Sequence, residues 1–386
     1  MSKSVEALER SIRKNIVYPL LRMIFRNPVT NAPADLNCVN RILIFRYDRI
    51  GDMIVTTPIL RTLKRLNPRI RLDVLASEAN AEIVQQSPCV DNLLILEANW
   101  LRLIRQIVHL RRQRYDVVLN FIFNRTTGPG ILANLVAPHG HKVGQGPDRY
   151  AFYFNRLVKV RRFEQHMLES YVSMIEQVFG FSVNREELAF EIAVGVDSRH
   201  TVDEWLGKQS LHRRSRQKSP GLPYIVLNPS GKDEDRSLGV HQVAAVAKSL
   251  SGRPHFRTVL LSSPGDVAMG EAFRFKADFQ KSLVYRTLSS RPLGELASLI
   301  EGALLVISPD TSIVHFASAM QTPVLAIYAP RNASQEWLPY KVPYDVVMAN
   351  GSRRISEIEP QVLIEGADRF IAKVLETNEA PSSELK

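Results

Sequence analysis

The sequence predicts an α/β protein of two similar domains, each a parallel sheet covered by helices, facing one another across a cleft. Three observations lead there. The chain has 386 residues, more than one hydrophobic core usually supports. From residue 41, short apolar runs alternate with helical ones, and the alternation restarts at residue 224. Between the two series lies GKQSLHRRSRQKSPGL, residues 207–222, a basic Gly-, Ser- and Pro-bearing composition suited to an exposed connection.

The elements follow in order. Residues 1–35 form a basic N-terminal segment, in which Val5, Leu8, Ile12 and Ile16 fall at helical spacing among Arg10, Arg13, Lys14, Arg22 and Arg26, with an interruption at Pro19. It reads equally as an anchor on an anionic membrane surface or as a helix packed on the protein itself. RILIF, IRLDVLAS, NLLIL and YDVVLNF are strand-like; TPILRTLKRL, AEIVQQ, WLRLIRQIVHLRRQ and HMLESYVSMIEQVFG are helical. Right-handed βαβ crossovers then give a Rossmann-like domain over 36–206. The strands YIVLNPSG, RTVLLSSPGD, ALLVISPD and TPVLAIYAP, with the helices HQVAAVAKSL and LGELASLIEG, give a second one over 223–375, followed by a tail, 376–386. Two such halves across a cleft are the GT-B-like arrangement.

Composition narrows the function. Hydrophobic residues at 45% and charged ones at 23% fit a folded globular chain. Cys38 and Cys89 have neither a paired spacing nor a nearby His, which argues against a zinc site or disulfide framework and fits a reducing, cytoplasmic compartment. A formal charge of +11 favours an anionic partner. With no zinc-finger, RNP-type or helix-turn-helix signature, that partner is not expected to be nucleic acid.

The chemistry-bearing residues sit where strands end. After RILIF comes RYDRIGD, with Arg46, Asp48, Arg49, Gly51 and Asp52; the carboxyl end of a strand is where ligands bind in open α/β sheets. There is no G-x-G-x-x-G, so a nicotinamide cofactor is disfavoured. Thr57 and Pro58 suit an N-cap and first helical residue, which places Asp52 in the preceding loop or first turn. By itself Asp52 could be no more than a helix-terminus carboxylate. In VLNPSGKDEDRSL a strand opens into a small-residue loop bearing Ser230, Gly231, Lys232 and Arg236, able to cradle a diphosphate or simply to be solvated. In VISPDTSIVHFASAMQTPVLAIYAP, Asp310, Thr311 and Ser312 lead from a strand into a helix, with His315 in its first turn.

The chain resembles glycosyltransferase family 9, the lipopolysaccharide heptosyltransferase group, over about residues 40–370. The resemblance is carried by RILIFRYDRIGDMIVTTPILRTLKRLNP, YDVVLNF, Lys142-Val143-Gly144, HMLESY, LNPSG with Arg236, and PDTSIVHFASAMQTPVLAIY. It implies an inverting, metal-independent and cofactor-free transfer of a sugar, typically heptose from ADP-heptose, to a lipid-linked saccharide of the lipopolysaccharide inner core. Asp52 would be the general base and Arg46 and Arg49 acceptor contacts. Ser230, Lys232 and Arg236, with Thr311 and Ser312, would hold the diphosphate. Asp310 would meet the sugar hydroxyls with His315 beside it, and Asp266 the ribose. Two departures are Ser312, where many members have Gly, and Leu238, near where many have Trp. Competing readings are a GT-B-like nucleotide-sugar epimerase and a catalytically silent binding protein docked on a membrane. Such an enzyme would work on the inner face of the inner membrane.

Overall fold

The computed structural model describes residues 15, 17–25, 27–123, 127–216, 220–231, 233–262, 283–286, 292–329, 335–349 and 354–379. Lys232 and Asp266 lie outside the described residues, as do the first 14 residues and the end of the tail. In chain order the helices are α1 (Tyr18–Ile24), α2 (Ile50–Leu66), α3 (Glu82–Gln85), α4 (Trp100–Arg112), α5 (Thr127–Val136), α6 (Met167–Phe179), α7 (Val196–Lys208), α8 (Val240–Ser251), α9 (Leu293–Gly302), α10 (Ser312–Ala319) and α11 (Pro360–Glu379).

The strands of the first domain are β1 (Arg41–Arg46), β2 (Arg71–Ala76), β3 (Asn92–Ile95), β4 (Val117–Asn120), β5 (His141–Gln145) and β6 (Arg156–Val158). They form one parallel sheet in the order β3-β2-β1-β4-β5-β6. Helices on both faces leave central strands no wet side, so β1 is buried from Ile42 to Arg46 and reads as an unbroken apolar run from Ile42 to Phe45. The second domain repeats the order with β7 (Tyr224–Leu227), β8 (Arg257–Ser262), β9 (Leu283–Arg286), β10 (Val306–Pro309), β11 (Val324–Tyr328) and β12 (Tyr344–Met348), arranged β9-β8-β7-β10-β11-β12. In each sheet the order reverses between the first and fourth strands, which opens a crevice at their carboxyl ends.

Two expectations are corrected. Helix α2 begins at Ile50, not at Pro58, which lies inside it. A proline there cannot donate to the Ile54 carbonyl four residues back, but the Thr57 hydroxyl donates to that oxygen at 2.7 Å and relieves the loss. Pro19 sits in the first turn of α1, where a missing N–H costs nothing, and most of the segment before it lies outside the described residues. The 207–222 stretch is not simply an exposed connection. Leu211 bridges to Leu222, and Arg213 is buried with Nε 2.6 Å from Asp203 and its Nη atoms 2.8 and 2.7 Å from the Ser298 carbonyl and hydroxyl. Helix α7, before that stretch, already packs on α9 of the second domain.

The two domains are in direct contact. Glu336, fully buried, accepts from Arg162 Nε at 2.6 Å, Arg162 Nη2 at 3.1 Å and the Phe163 amide at 2.7 Å. Lys341 Nζ donates to the Arg185 and Glu186 carbonyls at 2.7 Å each, and Glu82 accepts from the Gly294 amide at 2.9 Å. One apolar cluster runs from Ile44 and Met53 in the first domain to Val226 and Phe316 in the second.

Candidate active site

On the first domain, β1 delivers Arg46 and the turn into α2 delivers Asp48 and Asp52. Arg46 is wholly buried, its guanidinium 4.7 Å from the Tyr171 ring centroid and 5.7 Å from that of Phe121. Its Nη1 lies 3.1 Å from Asp48 and 3.4 Å from Asp52. Arginine suits such a site because it is weakly hydrated and stacks on aromatic faces. This corrects the expectation that Arg46 reaches the acceptor: burial leaves it holding the two carboxylates from below. Arg49, the residue before α2, is exposed at the lip.

Asp52 is the third residue of α2, where the helix dipole favours a negative charge. It is nevertheless buried, and desolvation, then the charge of Asp48, push its pKa up to about 7, against the opposing pull of Arg46, Arg49 and Arg162. The guanidinium makes its closer contact to Asp48, so it only partly offsets the desolvation of Asp52. A carboxylate poised near neutrality can take a proton from a hydroxyl and hold it.

On the second domain, the loop after β7 and the start of α10 are tied together by Asn228. Its Nδ2 donates to the Ser230 carbonyl at 3.0 Å and to the Ser308 hydroxyl at 3.0 Å, with Thr311 Oγ1 at 3.4 Å. Thr311 caps α10, its Oγ1 accepting from the Ile313 amide at 3.2 Å. Arg236 Nη1 lies 3.2 Å from Asp310, so the cation expected for the diphosphate and the carboxylate expected for the sugar are paired. Gly231 serves the loop itself: a Cβ there would lie 2.1 Å from the Arg236 carbonyl oxygen, and its amide donates to Ser237 Oγ at 2.9 Å.

The two halves touch at a glycine. A Cβ on Gly51 would stand 2.8 Å from His315 Cδ2 and 3.6 Å from the Ser312 Cα, so the start of α2, with Asp52, abuts the start of α10. His315 is buried, with Phe190 and Trp337 edge-on at 6.1 and 5.7 Å between centroids. Burial, and secondarily the His166 charge, lower its pKa to about 3. A buried ring facing Gly51 stands in the seam between domains, where the expectation set it beside Asp310 among the donor contacts. His166 lines the same seam, capping α6 through Nδ1 and donating from Nε2 to the Leu338 carbonyl at 3.1 Å.

The sequence reading gave no role to Asp48, Asn228, Arg162 or Glu336. Two carboxylates four residues apart around a helix start were a signal for Asp48, and LNPSG contains Asn228. Nothing local marks Arg162 and Glu336, which meet only when the domains do. Among the described residues no three His, Cys, Asp or Glu side chains converge as a metal-ligand set would, and no helix is long and apolar enough to cross a membrane.

Two parallel-sheet domains meeting at their strand carboxyl ends, with a carboxylate on one lip and an arginine-bearing loop and helix start on the other, are the layout of a GT-B glycosyltransferase. The model of glycosyltransferase family 9 (heptosyltransferase) matches residues 100–360, and the chain belongs to that family. Lipopolysaccharide heptosyltransferase 3 of Escherichia coli is 24% identical over 292 residues, covering 72% of this chain and 80% of that one. Among solved structures, a family 9 glycosyl transferase from Veillonella parvula superposes with a TM-score of 0.72 at 19% identity, over 89% of this chain and 100% of that one. The Escherichia coli heptosyltransferase WaaC with ADP-2-deoxy-2-fluoro heptose gives a TM-score of 0.62 at 19% identity, over 86% and 99%.

Proposed function

We propose that the protein transfers heptose from ADP-heptose, with inversion and without a metal, to a lipid-linked inner-core saccharide of lipopolysaccharide, at the anionic inner face of the inner membrane. The observation that carries this is the contact of Gly51 with His315 and Ser312. It brings the helix turn bearing Asp52 against the start of α10, near the loop bearing Arg236, which supports reading Asp52 as the base and the facing loop and helix start as the diphosphate site. The acceptor hydroxyl oxygen attacks the anomeric carbon from the face opposite the leaving group, and its proton passes to Asp52. The bond from that carbon to the diphosphate oxygen breaks, its electron pair leaving with ADP. Arg236 and the first-turn amides of α10 stabilise the charge that develops there. Arg46 and Asp48 position and tune Asp52, and Arg49 is the cation at the lip for an anionic acceptor.

The test is ADP release by the purified protein in buffer containing EDTA, with ADP-heptose and core lipopolysaccharide as acceptor. Release should require acceptor, and the new linkage should carry the anomeric configuration opposite to that of the donor. Donor conversion without acceptor would favour an epimerase, and no turnover with any core acceptor would favour a silent binding protein.

A further inference from the structure

We propose that the outer helical layer of the first domain, α4 with α1 across α5, is a surface by which the protein lies on an anionic lipid bilayer. The observation is that the apolar face of α4 is about twice as wide as the part its place in the fold buries. Ile107 and Leu110 pack inward, Leu110 buried in the core cluster with Leu132 and Tyr115. Trp100, Leu101, Ile104 and Val108 continue that face outward and are exposed, Trp100 to 66%. At 100° per residue these four fall within an arc of about 100° that begins about 20° round from Ile107, so the apolar face of the helix spans roughly half its circumference.

The charges around that stripe have one sign. From residue 98 to 115 there is no acid, while Arg102, Arg105, Arg111, Arg112 and Arg114 are all exposed. Helix α4 packs beside α5. Helix α1 is tied to the same α5, through Tyr18 Oη 3.4 Å from Thr127 Oγ1 and through Asn27 Nδ2 donating to Asn134 Oδ1 at 2.8 Å. It presents Leu20, Met23 and Ile24, one helical face, to solvent, Met23 to 70%. Leu135 of α5 is exposed as well.

An anionic bilayer answers both features at once. Apolar side chains and an indole enter the interface while the arginines meet lipid phosphates. A second copy of the same face would bring five uncompensated arginines against five more, and a nucleic acid would leave the apolar stripe wet. The surface extends the lipid-linked acceptor reading, but it can be tested with no sugar transfer at all.

The experiment is flotation of the full chain with vesicles of phosphatidylcholine alone or with phosphatidylglycerol at three parts in ten, at low salt and in 0.5 M salt. Two double variants are compared, Trp100→Ser with Ile104→Ser and Arg105→Gln with Arg112→Gln. The full chain should bind the anionic vesicles alone, and salt should weaken the binding. Each double variant should bind roughly tenfold or more weakly while keeping its circular dichroism and its ADP release with a short soluble acceptor. Binding by both variants equal to that of the unaltered chain overturns the proposal, as does failure of the unaltered chain to bind. Loss of self-association in the variants with no vesicle binding by any form would assign the face to a dimer instead. Vesicle binding with no heptosyl transfer would leave this surface standing and remove the assigned reaction.

Discussion

Replacing Asp48 by Asn should move the acid limb of the activity profile to lower pH. In the structure Asp48 and Asp52 share one nitrogen, Arg46 Nη1, at 3.1 and 3.4 Å, so the two oxygens are at most about 6.5 Å apart. At an effective dielectric of about 20, unit charges about 6.5 Å apart repel by roughly 2.5 kcal/mol, nearly two pKa units. Asp48 is partly exposed and Arg46 screens the pair, so a fall of roughly one to two units is expected for Asp52. In the unaltered enzyme the base must be ionised, and with a pKa near 7 turnover at pH 6 should be about one tenth of its plateau. In the variant the midpoint should lie between about pH 5 and 6, leaving turnover at pH 6 at about half of its own plateau or more.

The assay is acceptor-dependent ADP release at saturating substrates from pH 5 to 9. A limb that stays near pH 7 in Asp48→Asn, or moves up, would refute the electrostatic account of Asp52. The same raised carboxyl bears on stability with a fixed sign. The unfolded chain releases this proton near the ordinary aspartate value, so the contribution of Asp52 to stability falls as pH rises from about 4 to about 7.

Asp52→Asn should lower kcat by about two to four orders of magnitude with little change in donor affinity; near-normal turnover would remove Asp52 as the base. Arg236→Ala should weaken ADP binding by roughly 1.5 to 3 kcal/mol, read by calorimetry, and an unchanged affinity would move the phosphate site elsewhere. Gly51→Ala forces a methyl within 2.8 Å of the buried His315 ring. If overpacking costs roughly 1 to 3 kcal/mol and falls on the meeting of the domains, turnover drops about 5- to 150-fold while the thermal midpoint moves little. Full activity would show that the two lips need not approach this closely.

Much of this protein was legible from residue order alone because its strands are buried on both faces. Runs such as RILIF and YIVL have no polar residue until they end, so the places where they end, and the ligand-facing loops there, stand out from local sequence. The start of α10 was equally plain, since a threonine capping an apolar helix is a local interaction. What the chain order hid was every feature that depends on partners far away. Arg46 looks like a surface cation until Tyr171 and Phe121 close over it, and His315 like a donor ligand until Gly51 of the other domain arrives. Arg213 sits in a stretch with the composition of an exposed connection, and only Asp203 and Ser298 bury it. Arg162 and Glu336, 174 residues apart, carry no local pattern at all. Local hydrophobic period sets the elements, but the charge state of Asp52 comes from desolvation and from charges that only tertiary packing brings within a few ångströms.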